Sequence, residues 1–157
     1  MKPTIAAMLC CGSLLAGSLE IGVRKLNLAK SKFSSGPPPR SRILRIEPEG
    51  ESLRYTREDV TPEGKPSSGG GVARFDGKDY PQNAIPFADT LSSVRIDTLT
   101  TEHTFKKAGK VVRTVRDVLS AGGNVLTRTM GGVNERGQKV SNVMVFEKQR
   151  ASVPLTP

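Results

Sequence analysis

The feature that most constrains the fold is a series of short apolar segments in residues 101–146. Residues 111–119, 125–130 and 140–146 are rich in Val, Leu and Met. They are separated by clusters of Gly, Asn, Ser and Lys at 106–110, 120–124 and 131–139. Apolar and β-branched runs bounded by such turn residues are typical of an antiparallel meander. The pattern predicts successive β-hairpins.

The upstream chain continues this pattern. We predict strands at 23–28, 42–47, 53–60, 72–75, 91–97 and 101–106. We expect a turn of helix at 29–33, an extended loop at 34–39 because of its three prolines, a flexible segment at 67–71 and a longer loop at 79–89. No segment predicts a long helix.

This many short strands must protect their edges. Sequential hairpins favour a closed barrel, because a two-sheet sandwich needs longer crossings, for which only residues 29–40 and 79–90 are candidates. We therefore predict an all-β protein, an antiparallel up-and-down β-barrel of about 8–10 strands.

The first 18 residues resemble a signal peptide. Lys2 gives a positive start, residues 5–15 are apolar, and Ala16 and Ser18 are small residues before a cleavage point. The apolar run is shorter than the ~20 residues of a membrane-spanning helix. We expect cleavage after Ser18, a domain at 19–149, a tail at 150–157 and a secreted or periplasmic location. Lipidation of the cysteines at 10 and 11 is a weak alternative, because Met and Leu precede them.

The composition excludes several kinds of site. Both cysteines lie in the signal segment and His103 is the only histidine, so we expect no disulfide, no thiolate or histidine metal site and no cofactor. The net charge is +9, yet only 4% of residues are aromatic and none is Trp. Nucleic-acid platforms need exposed aromatic residues for base stacking. We therefore expect no nucleic-acid partner, and an anionic envelope surface suits the charge better.

The last hairpin contains the main candidate site. Met144 and Phe146 share one face, with Met130 across the hairpin, and methionine adapts to varied apolar ligands. Arg128 alternates with Leu126 and Met130: facing inward it could pair with an anionic ligand group, and facing outward it is a solvated charge. Ordinary core is the alternative for the apolar residues. The candidate ligand-binding residues are Arg128, Met130, Met144, Phe146, Phe105 and Tyr55.

His103 is a weak candidate for a general base. Asp97 and Glu102 are near it in sequence, but Glu102 points to the opposite face of the strand. The spacing of residues along the sequence does not bring a nucleophile, a base and a carboxylate together. We expect that the protein is not an enzyme.

Several motifs resemble the calycin group, which contains the lipocalins and the fatty-acid-binding proteins, and in particular secreted bacterial lipocalin-like proteins. They cover roughly residues 22–149. The motifs are GVRKLNLAKSKF at 22–33, GPPP at 36–39, FDGKDYP at 75–81, FKK at 105–107 with GKVV at 109–112, and VFEK at 145–148.

The resemblance implies an antiparallel barrel with a hydrophobic-ligand cavity at one mouth. Two departures from the group are visible. Arg24 occupies the place of the tryptophan that plugs the lipocalin floor, and it cannot plug a floor in the same apolar way. Met144 and Phe146 occupy the places of the Arg and Tyr with which fatty-acid-binding proteins hold a carboxylate. The resemblance therefore implies no carboxylate anchor on the last strand.

Together these features lead to one functional hypothesis and one alternative. We expect an exported, monomeric, non-catalytic binding protein for a small hydrophobic or amphipathic ligand. The alternative is a structural or adhesion module of the cell envelope that uses its basic surface.

We predict that the mature protein begins at Leu19. Intact-mass measurement of the protein recovered from outside the cytoplasm should show the loss of residues 1–18. Replacing Ala16 with Phe should block processing, because the position three residues before the cut must be small. Recovery of the full-length wild-type chain as the final product would contradict the prediction.

Overall fold

Ten antiparallel strands form one continuous sheet in the computed structural model, which describes residues 18–134 and 136–150. The strands are β1 (Gly22–Lys32), β2 (Ser41–Glu49), β3 (Ser52–Val60), β4 (Pro66–Ala73), β5 (Tyr80–Pro81), β6 (Thr90–Arg95), β7 (Thr100–Lys107), β8 (Lys110–Leu119), β9 (Val125–Val133) and β10 (Lys139–Lys148). The described residues contain no helix, and therefore none that could cross a membrane. The predicted fold class is confirmed. Residues 1–17 of the predicted signal segment and 151–157 of the predicted tail lie outside the described residues.

The sheet curls into a half-barrel. Its order is β4-β3-β2-β1-β10-β9-β8-β7-β6-β5, so β1 lies between β2 and β10, and every other pair of neighbours is consecutive in sequence. The two margins, β4 and β5, share no ladder. This leaves a gap in the wall between strands that are adjacent along the chain.

Alternation along the strands separates the inner from the outer face. On β8, for example, Val115, Asp117 and Leu119 are buried, whereas Arg116 and Val118 are exposed. One end of the barrel, the floor, is filled by apolar side chains and lies near the β2–β3 and β8–β9 turns. The cluster centred on this end contains Leu26, Leu44, Ile46, Leu53, Leu119, Leu126, Met144 and Phe146. The opposite end, the mouth, is surrounded by the loops after β1, β3, β5, β7 and β9.

Arg24 closes the floor through hydrogen bonds. Its side chain is fully buried, and its Nη2 donates to the carbonyl oxygens of Leu19 at 2.8 Å and Gly123 at 3.0 Å. A third bond, at 3.3 Å, goes to the carbonyl of Glu20. Burial lowers the pKa of Arg24, against the opposing effect of Glu20. As expected, Arg24 does not plug the floor by apolar contact. It fills the floor by hydrogen bonds to backbone carbonyls instead of by the packing of an aromatic ring.

The turn of helix predicted at 29–33 is wrong. Strand β1 continues to Lys32 through a bulge, where the register with β10 jumps from Asn27 opposite Val145 to Lys32 opposite Val143. The hydroxyl of Ser31 donates to the Asn27 carbonyl at 2.7 Å and accepts from the Val145 amide at 3.0 Å. Because this hydroxyl replaces a backbone partner, the ladder survives the extra residues.

The flexible segment predicted at 67–71 is also wrong, because it belongs to β4. Gly69, Gly70 and Gly71 pair in continuous register with residues of β3. A Cβ atom on Gly70 would collide with the carbonyl oxygen of Tyr55, and one on Gly71 would lie 2.6 Å from Gln82 Oε1. The glycines are therefore required by close approach rather than by flexibility.

We predict that Gly70→Ala lowers the free energy of unfolding by about 1–3 kcal/mol, the usual cost of forcing extra atoms into a packed site. Urea denaturation measures the change. Gly131→Ala is the matched control, since its Cβ would meet only Thr114 Oγ1 at an ordinary 3.5 Å. Equal midpoints for the two variants would show that the backbone contact at Gly70 is not restrictive.

Candidate functional site

The inner faces of the strands and the loop after β5 enclose a cavity of about 160 Å³. Five of the six residues predicted from sequence line it: Tyr55, Phe105, Arg128, Met130 and Met144. The sixth, Phe146, is fully buried in the floor cluster and is not part of the lining. The structure thus brings together residues from β3, β7, β9 and β10.

The wall of the cavity is mainly apolar, and the loop between β5 and β6 covers it. Ile85 and Phe87 of this loop line the cavity. The ring of Phe87 lies 5.5 Å from that of Phe105, and the guanidinium of Arg113 lies 3.7 Å from the Phe87 ring centroid. Aromatic packing and a cation–π contact therefore hold the cover against β7 and β8.

Arg128 faces inward and forms an ion pair with Asp117, so the solvated alternative considered for it is wrong. The residues lie opposite each other on β8 and β9, and Arg128 donates to the two carboxylate oxygens at 2.7 and 2.6 Å. Burial favours a higher pKa for Asp117, but Arg128 outweighs it and the pKa is lowered. Burial also opposes charge on Arg128, and Asp117 nevertheless raises its pKa. Both groups therefore remain charged.

His103 lies beside this pair as a neutral base. Its Nδ1 is 2.8 Å from Ser93 Oγ, and its Nε2 is 3.8 Å from Asp117 Oδ2. Burial lowers the pKa of His103 to about 4. Asp117, across the hairpin, thus takes the place beside His103 for which Asp97 and Glu102 were considered.

The order Ser93, His103, Asp117 resembles a nucleophile, a base and a carboxylate. The surroundings do not support that chemistry. Ser93 is 1% exposed and is not part of the cavity lining, and the carboxylate is engaged by Arg128. A nucleophile must reach a bound substrate. The arrangement is best described as a buried polar cluster in which each member has a partner.

Two further arginines lie toward the mouth and share one carboxylate. Arg42 donates to both oxygens of Asp59, at 2.7 and 2.9 Å. Arg57 Nε lies 3.2 Å from the same carboxylate but is poorly aligned for a hydrogen bond. Burial lowers the pKa of Arg57, and repulsion from Arg42 and Arg128 adds to the effect of burial. This site therefore carries one positive charge that its own carboxylate does not balance.

Sequence reasoning missed the arginines at 42, 57 and 113, although a signal for them exists. Side chains two positions apart on a strand lie on the same face. Arg57 therefore shares the face of Leu53 and Tyr55, and Arg113 shares the face of Val115. Each arginine therefore lies in the inward-facing row of its strand, on the side toward the mouth. Within the described ranges, no three His, Cys, Asp or Glu side chains are placed to hold a metal ion.

A second, more open cavity of about 670 Å³ lies along the gap between β4 and β5. It is lined by the free edge of β4 and by residues 80–84. Tyr55, the three glycines and Ala84 line both cavities. The two spaces therefore meet at the gap in the wall.

Comparison with solved structures agrees with this architecture. The zebrafish ileal bile acid-binding protein, complexed with cholic acid, aligns with a TM-score of 0.55 at 12% identity, over 84% of this chain and all of that one. The chain therefore shares the antiparallel β-barrel fold of that protein. The siderocalin Ex-FABP matches with a TM-score of 0.41 at 13% identity, over 87% of this chain and 78% of that one. No protein-family model matches the sequence, and neither does a curated protein.

We predict that His103 makes the protein less stable in acid. Its folded pKa of about 4 lies below the ordinary 6.5, so the unfolded chain takes up a proton first as pH falls. Stability from the neutral residue is complete above pH 6.5 and is lost as pH falls toward 4, by on the order of 3 kcal/mol. Urea denaturation across this range measures it.

The control is His103→Gln, which cannot titrate. Every other group, including the buried Glu20, is common to both proteins, so their difference isolates His103. Parallel pH profiles for the wild type and the variant would contradict the assignment.

Proposed function

We propose that the protein binds a compact amphipathic anion and performs no chemistry on it. The observation that carries this proposal is the charge at the mouth, where Arg42 and Arg57 share only Asp59. The Arg57 side chain is 39% exposed, so its guanidinium is within reach of a ligand, and a ligand carboxylate or sulfonate would supply the missing counter-charge. The apolar wall below it, including Leu91, Val115 and Met144, suits a hydrocarbon body.

Relatives in fold support a binding role. The zebrafish protein with this fold holds cholic acid, which is itself an amphipathic acid. In the present chain we place the group that binds the ligand anion on β2 and β3. The last strand carries Met144 and Phe146, which cannot bind an anion.

The cavity volume favours a small ligand. At about 160 Å³ it is near the ~150 Å³ of a cavity that admits benzene. Pockets for drug-sized ligands are roughly 300–1,000 Å³. A ten-carbon chain is larger than benzene and would extend from this cavity into the space along the gap, with which it shares Tyr55 and the glycines of β4.

We further propose that the protein acts after export. Cleavage after Ser18 would leave Leu19 and Glu20, whose carbonyls are bound by Arg24, so the mature chain would retain its floor. The cavity favours a ligand-binding protein over the envelope module, because a purely structural barrel has no need of a hollow lined by arginines.

We predict that Arg57→Gln weakens binding of decanoate by about 10-fold or more, the range for a lost hydrogen bond to a charged group. Displacement of a fluorescent anionic probe from the purified mature protein measures the affinity. Decanol, which lacks the anion, should bind wild type and variant alike.

Arg116→Gln is the matched control. Arg116 is exposed on the outer face of β8, where it pairs with Glu102 at 2.6 Å, and it lines neither cavity. It should retain wild-type affinity. Equal losses in both variants would indicate a general effect of surface charge, and no saturable binding of any carboxylate would refute the proposed function.

A further inference from the structure

Tyr55 lies between the charged mouth and the apolar floor. On the inner face of β3 the order from mouth to floor is Arg57, Tyr55, Leu53. Neighbouring inward positions on a strand are about 7 Å apart, since each residue rises ~3.3 Å. Tyr55 is therefore one inward position closer to the floor than an anion held by Arg57.

The ring of Tyr55 is fixed by its neighbours. It meets the His103 ring edge-on, with centroids 5.4 Å apart at an interplanar angle of 76°. The Arg128 guanidinium lies 6.0 Å from its centroid. The opposite residue on β4 is Gly71, which has no side chain to cover the ring. Tyr55 consequently lines the inner cavity and the space along the gap at once.

The hydroxyl of Tyr55 has no hydrogen-bond partner among the described residues. The polar groups around it are engaged elsewhere: Arg128 with Asp117, and His103 with Ser93. Burial raises the pKa of Tyr55 well above its usual value, so the group remains a neutral donor. Tyr55 is only partly buried and its hydroxyl is not sealed from the cavities that the residue lines, so the O–H can donate to a ligand there.

We propose that the Tyr55 hydroxyl is a second ligand-binding group, which recognises an oxygen substituent on the apolar body of the ligand. This inference rests on the proposed function and narrows it. The ligand is then an amphipathic anion that carries a hydroxyl or oxo group a short distance from its charged head. Arg57 binds the head and Tyr55 selects among bodies of equal hydrophobicity.

The test compares decanoate with a positional series of monohydroxydecanoates. At least one isomer should bind the wild type more tightly than its hydrophobicity predicts, by about two- to tenfold, the range of one net hydrogen bond. Tyr55→Phe should abolish that preference and leave decanoate affinity unchanged. Tyr80→Phe is the matched control, because its exposed hydroxyl bonds to Asp76 and does not face the inner cavity.

The composition provides a second, spectroscopic test. The chain has two tyrosines and no tryptophan, so Tyr55 is the only phenol in Tyr80→Phe. A ligand oxygen that accepts its hydrogen bond should shift the near-ultraviolet absorption of Tyr55 to longer wavelength. The preferred hydroxydecanoate should produce the shift and decanoate should not. This absorption measurement leaves Tyr55 intact and does not depend on how well Tyr55→Phe folds.

The outcomes separate the two proposals. If carboxylates bind in an Arg57-dependent way, but no isomer is preferred and no shift occurs, the role of Tyr55 is refuted while the proposed function stands. If no carboxylate binds at all, both are refuted. A preference that persists in Tyr55→Phe would also overturn the inference, since another group would be its source.

Discussion

The polarity of the barrel interior depends on the ion pair between Asp117 and Arg128. The two charges lie opposite each other on neighbouring strands, and the carboxylate is almost completely buried. Removing one partner of a buried pair typically costs about 3–5 kcal/mol, because the other is left uncompensated. The middle of the barrel is thereby kept polar. The guanidinium lies 5.9 Å from the Phe146 ring and 6.0 Å from the Tyr55 ring, at the boundary between packed floor and open cavity.

The same reliance on arginine appears at both ends of the barrel, with different chemistry. At the floor, Arg24 binds backbone carbonyls from the segment just before β1 and from the β8–β9 turn, which joins segments far apart in sequence. At the mouth, Arg42 and Arg57 share a carboxylate. The carbonyl oxygens at the floor tie separate segments of the chain together. At the mouth, two guanidinium groups share one carboxylate, which leaves one positive charge unbalanced.

Much of the fold follows from turn chemistry in the sequence. The hairpins from β7 to β10 are evident because Gly, Asn and Ser interrupt β-branched runs, and such turns act locally. The two errors arose where a strand is maintained by distant partners. The hydroxyl of Ser31 completes the ladder to β10, and the carbonyl of Tyr55 leaves no space for a side chain at Gly70. Local propensity cannot report either contact.

The candidate site was less predictable than the fold. Parity alone places Met130 and Met144 on an inner face. The positions of Arg42 and Arg57 depend on which end of each strand reaches the mouth, which only the curled sheet reveals. Likewise, Asp117 meets His103 because of the register between β7 and β8, which shifts at a bulge between Phe105 and Lys106. No spacing within a single strand encodes that meeting.

The position of β1 has a consequence for how the chain matures. Its two neighbours are β2 and β10, so the earliest strand to leave the ribosome is completed only by the last. Such pairing of distant segments carries a large loop-closure entropy and slows folding. The β1–β10 ladder, which joins the two halves of the sheet, can therefore form only after residues 139–148 have been synthesised.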